Sequence, residues 1–320
     1  MKIAWCTPFS PRSAIGTYSE IIVDRLADLD GVTIFAPAGA GECAPRPSRH
    51  SVLGIPREIT PEFSEFFRDF DIHIFNMGNH TGNHGDIYEL SQRFPGVVIL
   101  HDLVMRDFFR GFCLERQQSR QEFHFHPRYC HGQAGERLWG DELAGRFVET
   151  IDHPIRLELP MFKSALQRSL GVIVHSDYAK QRVSQAIPVP VEHLDFPNVS
   201  PVAATRVDPL KDSAGPIRLL TYGVIIPNKM IHATILALAS LKDLPRKTQF
   251  TVIGEGDPGY IAHLQRLIRE NGLEGTVDMP GWLSDSELDE AIAKADLVIN
   301  LRNPHCGESS WSLLGSLSAG

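Results

Sequence analysis

The sequence predicts two α/β domains, each a parallel sheet with helices on both faces. The chain has 320 residues, of which 42% are hydrophobic, and a single core usually stops growing at about 250 to 300 residues. Short Val/Ile-rich runs alternate with segments of helical periodicity, which is typical of parallel sheets. A proline-rich stretch of low periodicity, residues 187–216, interrupts this alternation once. We therefore expect one domain on each side of it.

The first domain is expected to span residues 1–195. Its first stretch, KIAWCTPF, has the pattern of a buried strand and a turn, and the apolar spacing from Thr17 to Leu29 predicts a helix. The alternation continues through VTIFAP, EFSEFFRDF, DIHIFNMG, IYELSQRF, GVVILHD and GVIVHSD. Residues from about 105 to 160 break this rhythm because they are rich in charge, aromatic rings and histidine. We expect them to form a helical insertion.

The second domain is expected to span residues 217–320, after a linker over 196–216. Its alternating segments are IRLLTYG, HATILALASL, TQFTVIG, IAHLQRLIRENG, TVDMPG, SELDEAIAKA and DLVINL. Ser284 and Glu287 have the spacing of a capping box, and Gly272 is a helix stop signal. The sequence ends within a helical pattern, SSWSLLGSLSAG, so we expect this domain to be incomplete and the chain to be truncated.

The net charge and the cysteine content argue against some classes of protein. A net charge of -8 argues against a general nucleic-acid binder, which needs a basic surface. The five cysteines are odd in number and scattered, without a CxxC pair, which indicates reduced thiols and a cytoplasmic protein. No signal-peptide pattern and no run of about 18 apolar residues is present. Peripheral contact with the inner face of a membrane stays compatible with the sequence.

Two motifs suggest chemistry but have simpler explanations. Gly254 to Gly259 matches GxGxxG after a strand, the pattern of a dinucleotide-binding loop. It follows the second strand of its domain, however, and Pro258 removes a backbone N–H, so a tight turn is favoured over an NAD-dependent oxidoreductase. The segment His124 to His131 contains three histidines and a cysteine, but not at the usual zinc spacing. A polar, aromatic wall is favoured there over a metal site.

Residues that follow strands are better candidates, because ligands of open α/β sheets bind at the carboxyl ends of the strands. His101 follows GVVIL, and His175 holds the equivalent place after GVIV. A packed loop histidine is the alternative for both. Gly16 follows the first strand, where a missing side chain would let the backbone approach a phosphate, next to a helix N-terminus expected at Thr17.

A lysine and a hydroxyl-rich helix start form the strongest pair of signals. Lys229 comes after the strand-end loop YGVIIPN and can neutralise a leaving diphosphate. The segment Asn303 to Ser312 leads from the strand DLVINL into a helix, and its small and hydroxyl residues leave N–H groups available to an anion. Glu308 within it can hold sugar hydroxyl groups.

With these motifs in this order, the chain resembles glycosyltransferase family 4, the retaining enzymes of the GT-B fold. The resemblance covers nearly all 320 residues. It rests on Gly16, His101, VHS at 174–176, GxxxxNK at 223–229, VIGEG at 252–256, MPGWLSDSEL and the terminal GESS helix. No single motif is decisive, but their order and spacing together are specific.

The resemblance implies two doubly wound, Rossmann-like domains that face each other across a cleft. The second would bind a nucleotide diphosphate sugar and the first an acceptor, such as a polysaccharide or glycolipid precursor. A hexosyl group would be transferred with retention of configuration, without a metal or another cofactor. The implied catalytic residues are His101, Lys229 and Glu308. The implied donor-binding residues are Gly16, Gly223, Asn228, Lys229, Trp282, Glu308, Ser309, Ser310 and Trp311.

The sequence departs from the family pattern at three places. Val224 stands where the family usually has Arg, so one phosphate charge needs another partner. Gly307 and Gly315 stand where the family has two glutamates, and the family continues beyond the final helix. These departures keep a catalytically inactive nucleotide-sugar-binding partner open as an alternative. A nucleotide-sugar epimerase of the same fold is a further alternative, although no additional acid and base groups stand out.

Overall fold

The computed structural model describes residues 1–11, 13–26, 31–37, 48–146, 155–197, 215–241, 246–305, 307 and 309–319. The chain divides into two compact units. The first comprises Met1–Pro197 with the short segment Cys306–Ser309, and the second comprises Asn198–His305 with Ser310–Gly320.

The first unit is built on a sheet of seven parallel strands in the order β3-β2-β1-β4-β5-β6-β7. The strands are β1 (Lys2–Cys6), β2 (Gly31–Pro37), β3 (Ser51–Ile55), β4 (Ile72–Met77), β5 (Gly96–Leu100), β6 (Ser169–Val174) and β7 (Val191–His193). The strand order reverses between β1 and β4, where the carboxyl edge of an open sheet forms a natural crevice for ligands.

Helices connect these strands and cover the sheet. They are α1 (Ala14–Leu26), α2 (Pro61–Arg68), α3 (Thr81–Arg93), α4 (Arg106–Arg110), α5 (Arg120–Leu143), α6 (Ile155–Glu158), α7 (Phe162–Ala165) and α8 (Asp177–Ala186). A π-helical turn, Gly111–Arg116, joins α4 to α5, and α5 is kinked at Gly132. The region expected to be a helical insertion therefore holds α4 to α6, and its residues 147–154 lie outside the described part.

The core of the first unit is rich in aromatic side chains. Phe35 on β2 and Phe67 on α2 are fully buried, with ring centroids 5.0 Å apart. Phe108 and Phe109 of α4 and Trp139 of α5 extend the same core. Aromatic pairs of this kind contribute beyond their buried area, which explains how the helical stretch between β5 and β6 is held to the sheet.

The second unit has four parallel strands in the order β10-β9-β8-β11. They are β8 (Ile217–Tyr222), β9 (Thr248–Ile253), β10 (Val277–Gly281) and β11 (Leu297–Val298). The helices are α9 (Ile231–Ser240), α10 (Pro258–Glu270), α11 (Asp285–Lys294) and α12 (Trp311–Ala319). Here the order reverses between β8 and β11, so the loops after these two strands lie at the switch point of this sheet.

Both faces of the second sheet are covered by separate clusters. Helices α9 and α10 pack Ile235 and Leu264 against Phe250, while α11 packs Leu288 and Ile292 on the opposite face. The capping box predicted for Ser284 and Glu287 is confirmed at the start of α11. Gly272 follows α10 with the positive φ of 65° expected of a helix stop.

Three local details differ from the expectation. Helix α1 begins at Ala14 rather than Thr17, because the Ser13 hydroxyl already accepts a hydrogen bond from the Gly16 N–H. Strand β7 lies within the proline-rich stretch 187–216 and pairs with β6. The last strand is only two residues long, since β11 pairs with β8 over Leu297 and Val298 alone.

Candidate functional site: two strand-end clusters

Lys229 lies at the switch point of the second sheet with its ammonium group turned back toward β8. Strand β8 ends at Tyr222, and a short 3₁₀ turn, Pro227–Lys229, follows its loop. Lys229 Nζ donates a hydrogen bond to the main-chain oxygen of Tyr222 at 2.8 Å, and the side chain is only 9% exposed. Gly223 makes room for it, because a Cβ atom at this position would lie 2.8 Å from Nζ. The φ of 98° at Gly223 also favours glycine.

The environment of Lys229 disfavours its positive charge. Burial, and secondarily the nearby Arg302, lowers the pKa of Lys229 to about 8. The described residues provide Lys229 with one carbonyl hydrogen bond and no carboxylate partner. A buried ammonium beside a guanidinium has unfavourable electrostatics that a bound anion would reverse.

Arg302 is a second cation at this switch point, and the sequence analysis did not single it out. Its Nη2 donates to Ser310 Oγ at 3.3 Å, and its Nε is buried without a partner among the described residues. The neighbouring Asn303 N–H donates to the main-chain oxygen of Asn228 at 2.8 Å, which ties the loop after β11 to the Lys229 turn. A signal for it was available in the sequence. The resemblance expects an arginine at position 224, but Val224 is apolar and 62% exposed, so another cation was needed.

The N-terminus of helix α12 completes this cluster. The Leu313 N–H donates to the Ser310 hydroxyl at 3.2 Å, so that Ser310 caps the first turn. The same hydroxyl receives the Arg302 hydrogen bond, which joins the guanidinium to the positive end of the helix. Two cationic side chains and a helix N-terminus are a suitable set of groups for a phosphate or diphosphate.

A tyrosine occupies the space beside Gly315, the position at which the resemblance expects a second glutamate. The Tyr222 hydroxyl donates to the main-chain oxygen of Ser312 at 2.7 Å and contacts Ser316 Oγ at 3.1 Å. A Cβ atom at Gly315 would lie 2.9 Å from the Tyr222 hydroxyl oxygen. The absence of a side chain at Gly315 therefore leaves room for the Tyr222 hydroxyl. A glutamate at position 315 would require the tyrosine side chain or helix α12 to move.

The remaining predicted donor-binding residues are dispersed. Asn228 lies in the Lys229 turn with its Oδ1 buried and without a partner in the described structure. Trp282 follows β10, on the far side of β9 from Lys229, and is 48% exposed. Trp311 is the first residue of α12. Glu308 lies outside the described residues.

The first unit has its own cluster, at the carboxyl ends of β4, β5 and β6. His101 follows β5, and its Nε2 lies 3.0 Å from Oδ1 of Asn76 on β4. His175 follows β6, and its Nδ1 donates to the main-chain oxygen of Leu194 at 2.8 Å. The two imidazole centroids are 5.0 Å apart, and the Tyr18 ring meets both edge-on.

The histidines of this cluster are held neutral. Burial, followed by the neighbouring His175 and His84, lowers the pKa of His101 well below its usual value. Burial also lowers the pKa of His175, and it lowers that of His84 to about 4. Neutral imidazoles have one donor and one acceptor nitrogen each, so the cluster can hydrogen-bond a polar ligand without adding charge.

Gly16 and Ser309 are placed differently from the expectation. Gly16 lies inside the first turn of α1 rather than in a loop, and a Cβ atom there would meet the main-chain oxygens of Pro8 and Ser10 at 2.8 and 3.0 Å. The missing side chain of Gly16 therefore lets α1 pack closely against the loop after β1, whereas the expected close contact was with a phosphate. Ser309 groups with the first unit, where its hydroxyl donates to the main-chain oxygen of His175.

Two glycines of the GxGxxG motif, Gly254 and Gly256, allow the loop after β9 to pack closely against the loop after β8. Cβ atoms at Gly254 and Gly256 would lie 2.1 Å from the oxygen of Gly223 and 2.0 Å from that of Ile225. The Ile225 N–H donates to the Glu255 oxygen at 2.7 Å, so two strand-end loops run in direct contact. The spacing is explained by this contact, as the tight-turn interpretation expects.

Three of the four candidate zinc ligands, His126, Cys130 and His131, have other partners. The His126 ring stacks on Phe109 with centroids 4.1 Å apart, and the Cys130 thiol lies 3.2 Å from Ser164 Oγ. His131 Nε2 accepts from the Met161 N–H at 3.3 Å. Within the described ranges, no group of three or more His, Cys, Asp or Glu side chains could hold a metal ion.

None of the helices in the described residues is both long and apolar enough to cross a bilayer.

Comparisons with known proteins identify structures of similar fold. Residues 207–303 match the family model described as "Glycosyl transferases group 1". Sucrose-phosphate synthase from Thermosynechococcus elongatus is 17% identical, with a TM-score of 0.59 over 100% of this chain and 79% of that one. Anabaena HepE, solved in complex with UDP-glucose, is 16% identical, with a TM-score of 0.58 over 100% of this chain and 78% of that one.

A third structure, WaaG, is described as a glycosyltransferase involved in lipopolysaccharide biosynthesis. It is 17% identical to this chain, with a TM-score of 0.56 over 99% of this chain and 79% of that one. No curated protein sequence matches the chain significantly. The chain thus has the mixed α/β GT-B fold, as the sequence predicted.

Proposed function

We propose that this chain is a glycosyltransferase that moves a sugar from a nucleotide diphosphate sugar to an acceptor hydroxyl group. The observation that carries the proposal is the pair of cations at the second switch point, the buried Lys229 and the half-buried Arg302. Lys229, with a pKa lowered to about 8, lies close enough to Arg302 to be affected by its charge, and the described residues give Lys229 no carboxylate. An anionic ligand is the natural counterpart of such a site.

The chemistry of sugar transfer makes use of these groups. As the bond between the anomeric carbon and the diphosphate oxygen breaks, negative charge grows on the leaving diphosphate. Cations and a helix N-terminus that are already in place stabilise this charge without reorganisation. Lys229, Arg302 and the start of α12 would act in this way. In the proposal, Arg302 supplies the phosphate contact that Val224 lacks.

The finer features of the reaction follow from the family resemblance. We propose a hexosyl group, retention of the anomeric configuration and a reaction that does not depend on a metal ion. His101 would contact the transferred sugar, and Glu308 would hold its hydroxyl groups. The acceptor would be a polysaccharide or glycolipid precursor, used at the cytoplasmic side with peripheral membrane contact. The resemblance of the fold to WaaG, described as acting in lipopolysaccharide biosynthesis, supports this acceptor class.

Calorimetric titration tests the donor site directly. UDP, GDP and their common sugar conjugates are titrated into the wild-type chain and into Lys229→Ala. We expect one nucleotide to bind, and the variant to bind it about 10- to 100-fold more weakly, as for a lost charge-assisted hydrogen bond. Lys294→Ala is the matched control, because this exposed lysine on α11 pairs with Glu290. Absence of binding by every nucleotide would contradict the proposal.

Product analysis tests the reaction. The nucleotide sugar that binds is incubated with carbohydrate and lipid-linked acceptors, with and without a chelator. The proton coupling constant at the new anomeric centre is then compared with that of the donor. An inverted anomer would rule out the retaining mechanism, and loss of transfer with the chelator would rule out metal independence.

A catalytically inactive nucleotide-sugar-binding partner is the second candidate. The contact between Gly315 and the Tyr222 hydroxyl favours it, because a carboxylate cannot occupy this position without displacing the tyrosine. This candidate predicts donor binding in the calorimeter without transfer or hydrolysis in the product assay. Turnover that disappears in Lys229→Ala would exclude it.

A further inference from the structure

Asn76 is a fully buried polar residue near the carboxyl end of β4. Its Nδ2 donates to the main-chain oxygen of Cys6 on β1 at 3.1 Å. A carbonyl oxygen can only accept a hydrogen bond, so the amino group of Asn76 must face Cys6. The orientation of the amide is therefore fixed by chemistry, and its Oδ1 must face the other way.

This orientation determines the protonation of His101. Asn76 Oδ1 lies 3.0 Å from His101 Nε2, and an amide oxygen only accepts, so Nε2 must carry the hydrogen. In a neutral imidazole the other nitrogen is then an acceptor. His101 Nδ1 is buried and has no partner among the described residues. A buried acceptor without a donor costs free energy, and a ligand hydroxyl would recover it once the neighbouring side chains move to admit it to Nδ1.

Two neighbouring histidines have the opposite arrangement. His84 Nδ1 lies 3.0 Å from the main-chain oxygen of Asn76, and His175 Nδ1 lies 2.8 Å from that of Leu194. Both must therefore carry hydrogen on Nδ1, since their partners are carbonyl oxygens. Within this cluster, only His101 has its tautomer set by a side chain. Asn76 thus controls His101 through its side chain and His84 through its backbone.

We propose that Asn76 is a positioning residue that fixes His101 as the Nε2–H tautomer, so that His101 meets a hydroxyl group of the bound sugar as an acceptor through Nδ1. The contact between His101 Nδ1 and a sugar hydroxyl rests on the proposed function. The assignment of the Nε2–H tautomer does not depend on it. The half-buried ring of His101, bordered by Tyr18, His175 and Phe196, would then select a ligand that offers a hydrogen rather than a lone pair.

Nitrogen-15 NMR of histidine-labelled, ligand-free protein tests the tautomer. We expect a pyrrole-type Nε2 and a pyridine-type Nδ1 for His101, and the reverse for His84. In Asn76→Leu, His101 should lose this preference while His84 keeps its own, because its partner is the backbone of residue 76. Asn76→Asp keeps an acceptor oxygen for Nε2, so Nε2 should stay pyrrole-type in this variant. It protects the test should Asn76→Leu fail to fold.

Two results overturn the positioning role. One is a pyrrole-type Nδ1 for His101 in the wild-type protein. The other is an unchanged His101 tautomer in Asn76→Leu while the His84 signals show that β4 still packs.

A second arm tests the contact with the sugar. The nucleotide is added first without its sugar and then as the sugar conjugate that binds in the calorimeter. We expect the His101 Nδ1 signal to shift with the conjugate and not with the nucleotide alone. If the conjugate binds and Nδ1 does not respond, the acceptor contact is wrong while donor binding stands. If no nucleotide binds, the proposed function and this contact both fail, and the tautomer measurement still decides the role of Asn76.

Discussion

The ionisation of Lys229 should make ligand binding depend on pH. With its pKa lowered to about 8, the side chain is an ammonium below this pH and loses its proton above it, whereas a bound phosphate would stabilise the charged form. Nucleotide affinity should therefore change little between about pH 7 and pH 8 and fall as the pH rises further. At pH 8.5 binding should take up a proton, which calorimetry in buffers of different ionisation enthalpy measures.

Lys229→Ala provides the control for this prediction. The variant should bind weakly with no proton uptake between pH 7 and 9. Equal proton uptake in the variant and the wild type would assign the titration to another group and remove the link between the buried ammonium and the ligand.

His84 should make the protein sensitive to acid. Its pKa is lowered from 6.5 to about 4 in the folded state by burial, so between these values the unfolded chain binds the proton and the folded chain does not. This contribution to stability is present above about pH 6.5 and is lost as the pH falls toward 4. Between pH 7.5 and pH 5 it amounts to about 2 kcal/mol.

Urea unfolding at the two pH values measures this effect. His84→Gln should lose about 2 kcal/mol less than the wild type on acidification, whatever its stability at pH 7.5. His263→Gln, which changes a histidine on α10 of the second unit, is the control variant. An identical pH dependence for His84→Gln would show that His84 does not titrate as proposed.

At the scale of elements, helix α12 and strand β8 should be coupled through Gly315 and Tyr222. Gly315→Ala gains up to about 1 kcal/mol of helix propensity but pushes a methyl group against the Tyr222 hydroxyl, 2.9 Å away. Overpacking of this kind costs about 1 to 3 kcal/mol, so a net loss of stability is expected. In a Tyr222→Phe background this loss should disappear.

A double-mutant cycle from urea unfolding measures the coupling. An interaction energy of more than about 0.5 kcal/mol is expected for residues in contact. Additive effects would mean that α12 can shift along the sheet, which would make room for a carboxylate at position 315 and weaken the case for an inactive protein.

The elements that the sequence predicted are those with long periodic patterns. Alternating strands and helices from GVVILHD to SELDEAIAKA were found in the expected order. Strands β3 and β7 were missed, because Ser51–Ile55 is mostly exposed and Val191–His193 lies among prolines. Their pairing with β2 and β6 comes from the sheet as a whole, and local patterns do not contain it.

The residues of the candidate site could also be predicted only where a local pattern marks them. Lys229 could be predicted because a motif in one loop marks it, whereas Arg302 enters the site only because β11 lies next to β8. That adjacency depends on strand order, which no local pattern specifies. Asn76 had a local signal, an amide in the apolar run IHIFNM, but its partners on β1 and after β5 required the fold.

At the scale of the whole molecule, the net charge of -8 would repel a nucleotide diphosphate sugar at long range. Charges farther apart than about 8 Å are largely screened at physiological salt, so the local cations decide binding. Two neighbouring cations, Lys229 and Arg302, and a helix N-terminus can therefore hold an anion on an acidic protein. We infer that affinity depends on this site and little on the remaining surface.

The two units should respond differently to the two parts of the donor. The cationic cluster belongs to the second unit, and the histidine cluster belongs to the first. If the nucleotide diphosphate binds at the former and the sugar contacts His101, nucleotide alone should slow amide hydrogen exchange near residues 222–230 and 300–313. The sugar conjugate should additionally slow exchange near residues 76–79 and 100–105, because binding raises the free energy of local opening.

Hydrogen exchange followed by mass spectrometry resolves these segments in a single experiment. Lys229→Ala should lose the protection of both units together, since the sugar is held through the diphosphate, whereas Asn76→Leu should lose only the part in the first unit. Protection confined to the second unit with the complete sugar conjugate would separate His101 from the donor. The histidine cluster would then have to serve the acceptor, which is the other ligand that a sugar transfer requires.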